Sequence, residues 1–180
     1  QVGTDYTDLH EVEAYDRRMG TLRDIESENI KILETLNLPV GAAVLEIGCG
    51  TGRFARMATG RGYKVTAIDV SQAMLDYVAQ KVIEEKLAEI EFQHAGFLTM
   101  DLPERSFDAV VTVAALHHLP DIWKKVAFDN IFRFLKPGGQ LLLRDMVFAY
   151  AGNDYRKYYD SVIDAMPAPL KEGAILHVAQ

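Results

Sequence analysis

Cysteine occurs once in this 180-residue chain, at Cys49, so no internal disulfide can staple it. Its stability must come from a packed core, and a lone thiol fits a reducing compartment. No apolar run approaches the roughly 20 residues of a membrane span, and no signal-peptide pattern opens the chain. Repeats and low-complexity tracts are missing too. Positive charge is in short supply: 19 Lys and Arg against 26 Asp and Glu give a formal net charge of -7. That balance disfavours a broad phosphate-binding surface and hence a nucleic-acid partner, and the Arg17-Arg18 and Lys124-Lys125 pairs read as solvated helix faces. The expected location is cytoplasmic. The first residue is Gln1, not Met, which reads as a processed or partial chain.

What is present is a globular composition, 49% apolar, in a length that suits one domain with a three-layer core. Residues 8–36 show helical spacing in two pieces through Leu22, Ile25, Ile32, Leu33 and Leu36, ended by Leu38-Pro39-Val40-Gly41. From Ala43 onward strands and helices alternate. Strands are expected over 43–47, 64–69, 90–94, 107–114 and 141–147, with helices over 53–61, 71–87 and 122–135 between them. Ser71 is placed to cap the second of these helices, and Lys136-Pro137-Gly138-Gly139 to stop the third. Near-continuous apolar strands separated by helices imply a doubly wound α/β fold, a mostly parallel sheet with helices on both faces. Ligands of such sheets bind beyond the carboxyl ends of the strands, where the winding reverses. The expected organisation is one domain: an N-terminal helical lid over 1–40, a cofactor-binding core over 41–150 and an incomplete C-terminal part over 151–180.

One stretch carries most of the chemistry. In Ala42-Ala-Val-Leu-Glu-Ile-Gly-Cys-Gly-Thr-Gly-Arg-Phe-Ala-Arg56 an acid, Glu46, precedes three glycines at alternate positions, Gly48, Gly50 and Gly52. Such glycines turn the backbone sharply and leave no Cβ in a ligand's way, while the following helix start offers free N–H groups. Cys49 fits between them by its small size. A dinucleotide-binding loop would need its third glycine where Arg53 stands. Asp69 ends the second strand, 17 residues after Gly52. Its two acceptor oxygens can take both hydroxyls of a ribose, or else it caps the helix beginning near Ser71.

The glycine segment resembles motif I of the class I S-adenosylmethionine (SAM)-dependent methyltransferases. Asp69-Val-Ser-Gln-Ala-Met74 is similar to that family's next segment, which implies that Val70 and Met74 flank the adenine. Ser106–Asp121 and Leu135–Leu143 resemble its fourth strand with the following loop and the turn into its fifth, so four motifs fall in order between about residues 44 and 143. The resemblance leans to small-molecule enzymes of the menaquinone/ubiquinone-biosynthesis type. It implies SAM as cofactor, a small-molecule acceptor, and contacts from Tyr15, Glu46, Gly48, Cys49, Gly50, Gly52, Asp69, Val70, Met74, Gly96, Phe97, Val113 and His118. Where the family often has Gly-Asp-Ala after the third strand, this chain reads Ala95-Gly96-Phe97. The carboxylate that would hold the adenine amino group is absent, leaving the backbone N–H of Phe97 or Leu98 and apolar packing.

The sulfonium of SAM is already electrophilic, so the chain has mainly to position the acceptor and exclude water. A base is needed only for an acceptor that must lose a proton. His118 is the candidate, with His117 beside it, and helix capping or packing is the alternative for both. Tyr15 resembles a lid tyrosine over the cofactor, but could equally be an amphipathic-helix residue. Arg144-Asp145 interrupts the fifth strand at the ligand edge, where only one of the pair can face the cleft. No metal is expected, since His117-His118 lack a third ligand at a recognised spacing. Tyr155, Tyr158 and Tyr159 read as core or helix face, or as a roof on the acceptor pocket. RNA or protein methylation and SAM binding without catalysis are the other readings. Residues 153–166 can make a helix, but Leu170–Gln180 is too short for the family's last two strands. A truncated chain with an open fifth-strand edge is expected, or else a dimer that covers that edge.

Overall fold

The computed structural model describes residues 9–145 and 155–165. Two helices come first, α1 (Leu9–Leu22) and α2 (Ile25–Leu36). The alternating series follows: β1 (Ala43–Ile47), α3 (Arg53–Gly60), β2 (Lys64–Asp69), α4 (Gln72–Glu84), β3 (Glu91–His94), β4 (Phe107–Val113), α5 (Asp121–Phe134) and β5 (Leu135–Arg144). Residues 5–145 cluster as one compact unit. A final helix, α6 (Tyr155–Ala165), belongs to a second unit. It carries Tyr155, Tyr158 and Tyr159. The expected chain end over Leu170–Gln180 lies outside the described residues, as do Met146 and Val147 of the expected fifth strand.

The caps are local chemistry. Asp24 accepts from the N–H of Ser27 at 3.0 Å to start α2, and the Ser71 hydroxyl accepts from Met74 N–H at 3.2 Å to start α4. Asn37 closes α2 in the left-handed region, at φ 43°.

The five strands are all parallel, in the order β3-β2-β1-β4-β5. Alternate side chains feed two cores. Val44, Val65, Ala109 and Val111 pack with Leu33 and Leu36 of α2, Ala55 and Ala58 of α3, and Val78 of α4. Leu45, Ile47, Ile68 and Val110 pack on the opposite face with Ala127, Ile131 and Phe134 of α5. At the amino ends of the strands Asp108 ties three segments together. Its carboxylate accepts from Ala43 N–H at 2.8 Å and from Lys136 Nζ at 2.8 and 2.9 Å.

β5 begins earlier than its sequence implies. Leu135 already pairs with Phe107, and the ladder resumes only at Ala109 with Gln140. Lys136-Pro137-Gly138-Gly139 is thus a register shift within an extended segment, with Gly138 at φ +80°, and not a turn before a new strand. Winding reverses between β1 and β4, which puts the crevice beyond the carboxyl ends of those two strands.

Candidate functional site

The loop leaving β1 is held almost entirely by main-chain hydrogen bonds. Gly48 and Cys49 both donate to the Ile68 carbonyl, at 2.8 and 3.0 Å, and Gly52 donates to the Cys49 carbonyl at 2.8 Å. Gly50 donates to Asp69 Oδ2 at 2.8 Å, while Ser71 N–H donates to Asp69 Oδ1 at 2.9 Å. Asp69 therefore ties the loop to the start of α4. Each of its oxygens keeps a second lone-pair site for a ligand hydroxyl.

All three glycines have positive φ, but for different reasons. A Cβ on Gly48 would lie 2.5 Å from the Ala115 Cβ, so this glycine lets the loops after β1 and β4 touch. A Cβ on Gly52 would lie 2.4 Å from Val78 Cγ1, so this one lets the loop close onto α4. At Gly50, φ +52°, a Cβ would meet nothing within 4 Å. The middle glycine faces open space.

Beneath the loop, Glu46 is buried and accepts a hydrogen bond from the Ala55 backbone in the first turn of α3. Its Oε2 has no partner among the described residues. Burial pushes the carboxyl well above its ordinary range, and the nearby negative charge of Asp69 adds to that. A dinucleotide's pyrophosphate needs free N–H groups at such a helix start. Here the Gly48, Cys49, Gly50 and Gly52 amides bond inward and Ala55 serves Glu46. That geometry argues against the pyrophosphate-gripping reading of the loop. Cys49 is buried, and burial together with Glu46 and Asp69 pushes its thiol up, leaving it a small packing residue and no nucleophile.

After β2, Val70 stands 73% exposed at the strand end. Gly96 lies against it: a Cβ there would sit 2.8 Å from Val70 Cγ1. Gly96 N–H donates to Thr99 Oγ1 at 3.0 Å, and its carbonyl accepts from Thr99 and Met100. The backbone N–H groups of Phe97 and Leu98 have no acceptor among the described residues, which leaves two donors at this edge. The Phe97 side chain is buried in the α5-side core. Met74 is only 3% exposed and packs with Val12 and Tyr77 under α1, beside the partly buried Tyr15. The structure thus gathers Glu46, Gly48, Cys49, Gly50, Gly52 and Asp69 at the first loop. Val70, Gly96 and Phe97 form a neighbouring edge. Met74 and Tyr15 lie in the α1–α4 contact.

Beyond β4 the half-buried Val113 pairs with Arg144, and Ala114 takes φ +52° with its N–H on the Arg144 carbonyl at 2.8 Å. One 3-10 turn follows, Leu116–His118. His117 is clamped by Asp145: its backbone N–H donates to Oδ2 at 3.0 Å, and its Nδ1 lies 2.6 Å from Oδ1. A carboxylate can only accept, so Nδ1 carries the proton, and in the neutral ring that tautomer has its lone pair on Nε2. The His118 ring stacks obliquely on that of His117, centroids 4.1 Å apart. Arg144 takes the other side of β5 and reaches Glu28 at 2.9 Å. Sequence reasoning named Asp145 as one of two alternatives for the cleft but gave it no partner. Nothing in a 28-residue separation signals the pairing with His117.

This chain matches a family described as methyltransferase domain across residues 44–139. The 27-O-demethylrifamycin SV methyltransferase of Amycolatopsis mediterranei (strain S699) is 34% identical over 114 residues, 62% of this chain and 41% of that protein. A phosphoethanolamine N-methyltransferase 2 from Haemonchus contortus, solved with phosphomonomethylethanolamine and S-adenosylhomocysteine, is similar at 28% identity and TM-score 0.62. That match covers 74% of this chain and 32% of the other. The cyclase SpnF is also similar, at 30% identity and TM-score 0.59, over 64% of this chain and 43% of that one. The chain spans less than half the length of each of these.

Proposed function

The chain belongs to the class I SAM-dependent methyltransferases, and we propose that it binds SAM at the β1–β2 edge and transfers the methyl group to a small molecule. The observation that carries this reading is Gly50: positive φ, open space before its missing Cβ, and an N–H tied to Asp69 at the strand-end position of a ribose ligand. The residues fit the group. Asp69 would accept from the ribose hydroxyls, while Val70, Phe97 N–H and Leu98 N–H would border the adenine, and Gly48, Cys49 and Gly52 would shape the loop over Glu46. Val113, His118 and the lid position of Tyr15 complete the proposed set. Met74 would act through the helix it anchors.

When bound, SAM supplies an electrophilic methyl on its sulfonium. For an acceptor that must shed a proton, His117 offers Nε2 as base, with Asp145 fixing the tautomer and stabilising the imidazolium that forms. His118 shares that edge. The finer assignment to menaquinone- or ubiquinone-type acceptors is part of the proposal, as are a cytoplasmic location and a lid formed by residues 1–40.

Calorimetry with SAM, S-adenosylhomocysteine and NAD tests the cofactor half; NAD binding without SAM binding would overturn it. Screening a metabolite panel for S-adenosylhomocysteine release, using the full-length native chain, tests the transfer half. The likeness to a cyclase supports a second reading, in which the fold binds SAM but performs other chemistry. Tight SAM binding with no S-adenosylhomocysteine released from any acceptor would favour that reading.

A further inference from the structure

Away from the glycine loop, α2, α3 and α4 enclose a groove of about 610 Å³. The lining side chains are Glu26 and Asn29 from α2, Arg53 and Arg56 from α3, and Tyr77 and Lys81 from α4, with Glu85 just past its end. Two of these carry unspent hydrogen-bonding capacity. Asn29 is only 6% exposed, yet its amide meets no partner among the described residues. Arg56 is paired to Glu85 through Nη1, but its Nε–H is buried without an acceptor. Nε–H belongs to the side of the guanidinium that grips a carboxylate or phosphate side-on, and it has no acceptor among the described residues. Lys81 lines the same groove; its hydrogen bond to Glu84, at 2.7 Å, holds its protonation range up although the Arg56 charge lies near. Three cations, Arg53, Arg56 and Lys81, thus gather against two carboxylates, Glu26 and Glu85, in a chain whose net charge is -7.

The orphaned buried Arg56 donor costs free energy that a bound acceptor would recover. We propose that this groove is a second small-molecule site, for a ligand whose oxyanion head, phosphate or carboxylate, takes the unpartnered Nε–H of Arg56. Lys81 adds its charge to the head. Asn29, both donor and acceptor, hydrogen-bonds the ligand, and the Tyr77 ring and Met57 offer an apolar wall to its body. The inference rests on the groove alone and stands or falls apart from the SAM reading.

Amide chemical shifts of the full chain would be followed while inorganic phosphate, then acetate, is added at constant ionic strength. Saturable shifts around Asn29, Arg56 and Lys81 are expected with at least one of the two. Saturation by phosphate alone identifies a phosphate ester as the ligand class; saturation by acetate identifies a carboxylate. Arg56→Lys keeps the charge but removes Nε–H, and should weaken binding about tenfold. Asn29→Leu should weaken it several-fold while the melting temperature holds or rises, since an unpartnered amide is removed. No saturable shift in the groove with either anion, or equal affinity in both variants, would overturn the proposal.

Discussion

The loop after β1 and the loop after β4 touch at Gly48 and Ala115, yet they are built from different materials. The first is main chain: glycines, inward amides and one strand-end carboxylate fix a shape with an open face at Gly50. The second is side chain: a 3-10 turn presents His117, and Asp145 from the next strand locks it. A backbone cradle suits a ligand that is the same in every turnover. A side-chain dyad suits chemistry that must match a particular acceptor. On the proposed assignment, the comparison teaches that binding and proton handling can fail separately.

The largest effect tests that separation. His117→Ala should cut methyl transfer to a proton-bearing acceptor by about 10²–10⁴-fold, the usual range for a positioned base. Asp145→Asn should cost less, about 10–100-fold, and should displace the pH profile of kcat. Cofactor Kd should hold in both. Steady-state kinetics beside calorimetry give the answer; unchanged kcat in both variants would return the second loop to a packing role.

Next come the glycines, which divide the first loop into ligand space and protein space. Gly52→Val meets Val78 and keeps φ +66°, so overpacking and left-handed strain should together remove roughly 3 kcal/mol of stability. Gly50→Ala meets nothing within 4 Å and should cost only about 1 kcal/mol in strain. Cofactor affinity should fall nonetheless, because the methyl enters the open face. Denaturant melts and calorimetry would break the comparison if Gly50→Ala binds as before.

The two loops also differ in how legible they were. β1 and β2 fall on the residues their apolar runs marked, and Ser71 caps α4 because a hydroxyl before a helical pattern has few other uses. The glycine loop is contiguous, so its chemistry is written in one stretch. The His117–Asp145 pair depends on β4 and β5 lying side by side, which no local pattern encodes. The same holds for the α1–α4 contact that buries Met74, and for the groove whose residues come from three helices. Lys136-Pro137-Gly138-Gly139 misleads for another reason: Pro and Gly mark where the chain departs from regular pairing, not whether the strand has already begun.

A smaller effect extends the contrast to charge. Glu46 sits under the first loop with its carboxyl pushed up, first by burial and then by Asp69. A raised folded-state value favours the protonated native state. Its contribution is complete below the unfolded value of 4.5 and is lost as pH climbs toward the folded one. Glu46→Gln mimics the protonated form and should flatten that decline. Its stability relative to the parent should grow by up to about 1.4 kcal/mol per pH unit above that point. Parallel pH dependences in denaturant titrations would mean that the carboxylate is stabilised in place.

The smallest effect comes from the opposite end of the neighbouring strand, and it carries the opposite sign. Asp108 is held below the usual carboxylate range, chiefly by its hydrogen bond to Lys136, with Ala43 N–H assisting. Its stabilisation is present above the unfolded value of 3.8 and is lost as pH falls through the folded one. Both side chains are partly exposed, 32% and 41%, so water screens the pair. Asp108→Asn should therefore cost only about 0.5–1 kcal/mol at neutral pH, and less as salt is raised. The cost should vanish in acid, where the parent carboxylate is itself protonated. Denaturant titrations at neutral and acid pH, each in low and high salt, check this directly. A cost that persists in acid and ignores salt would assign Asp108 to fixing the register shift in β5 through Lys136, and not to charge.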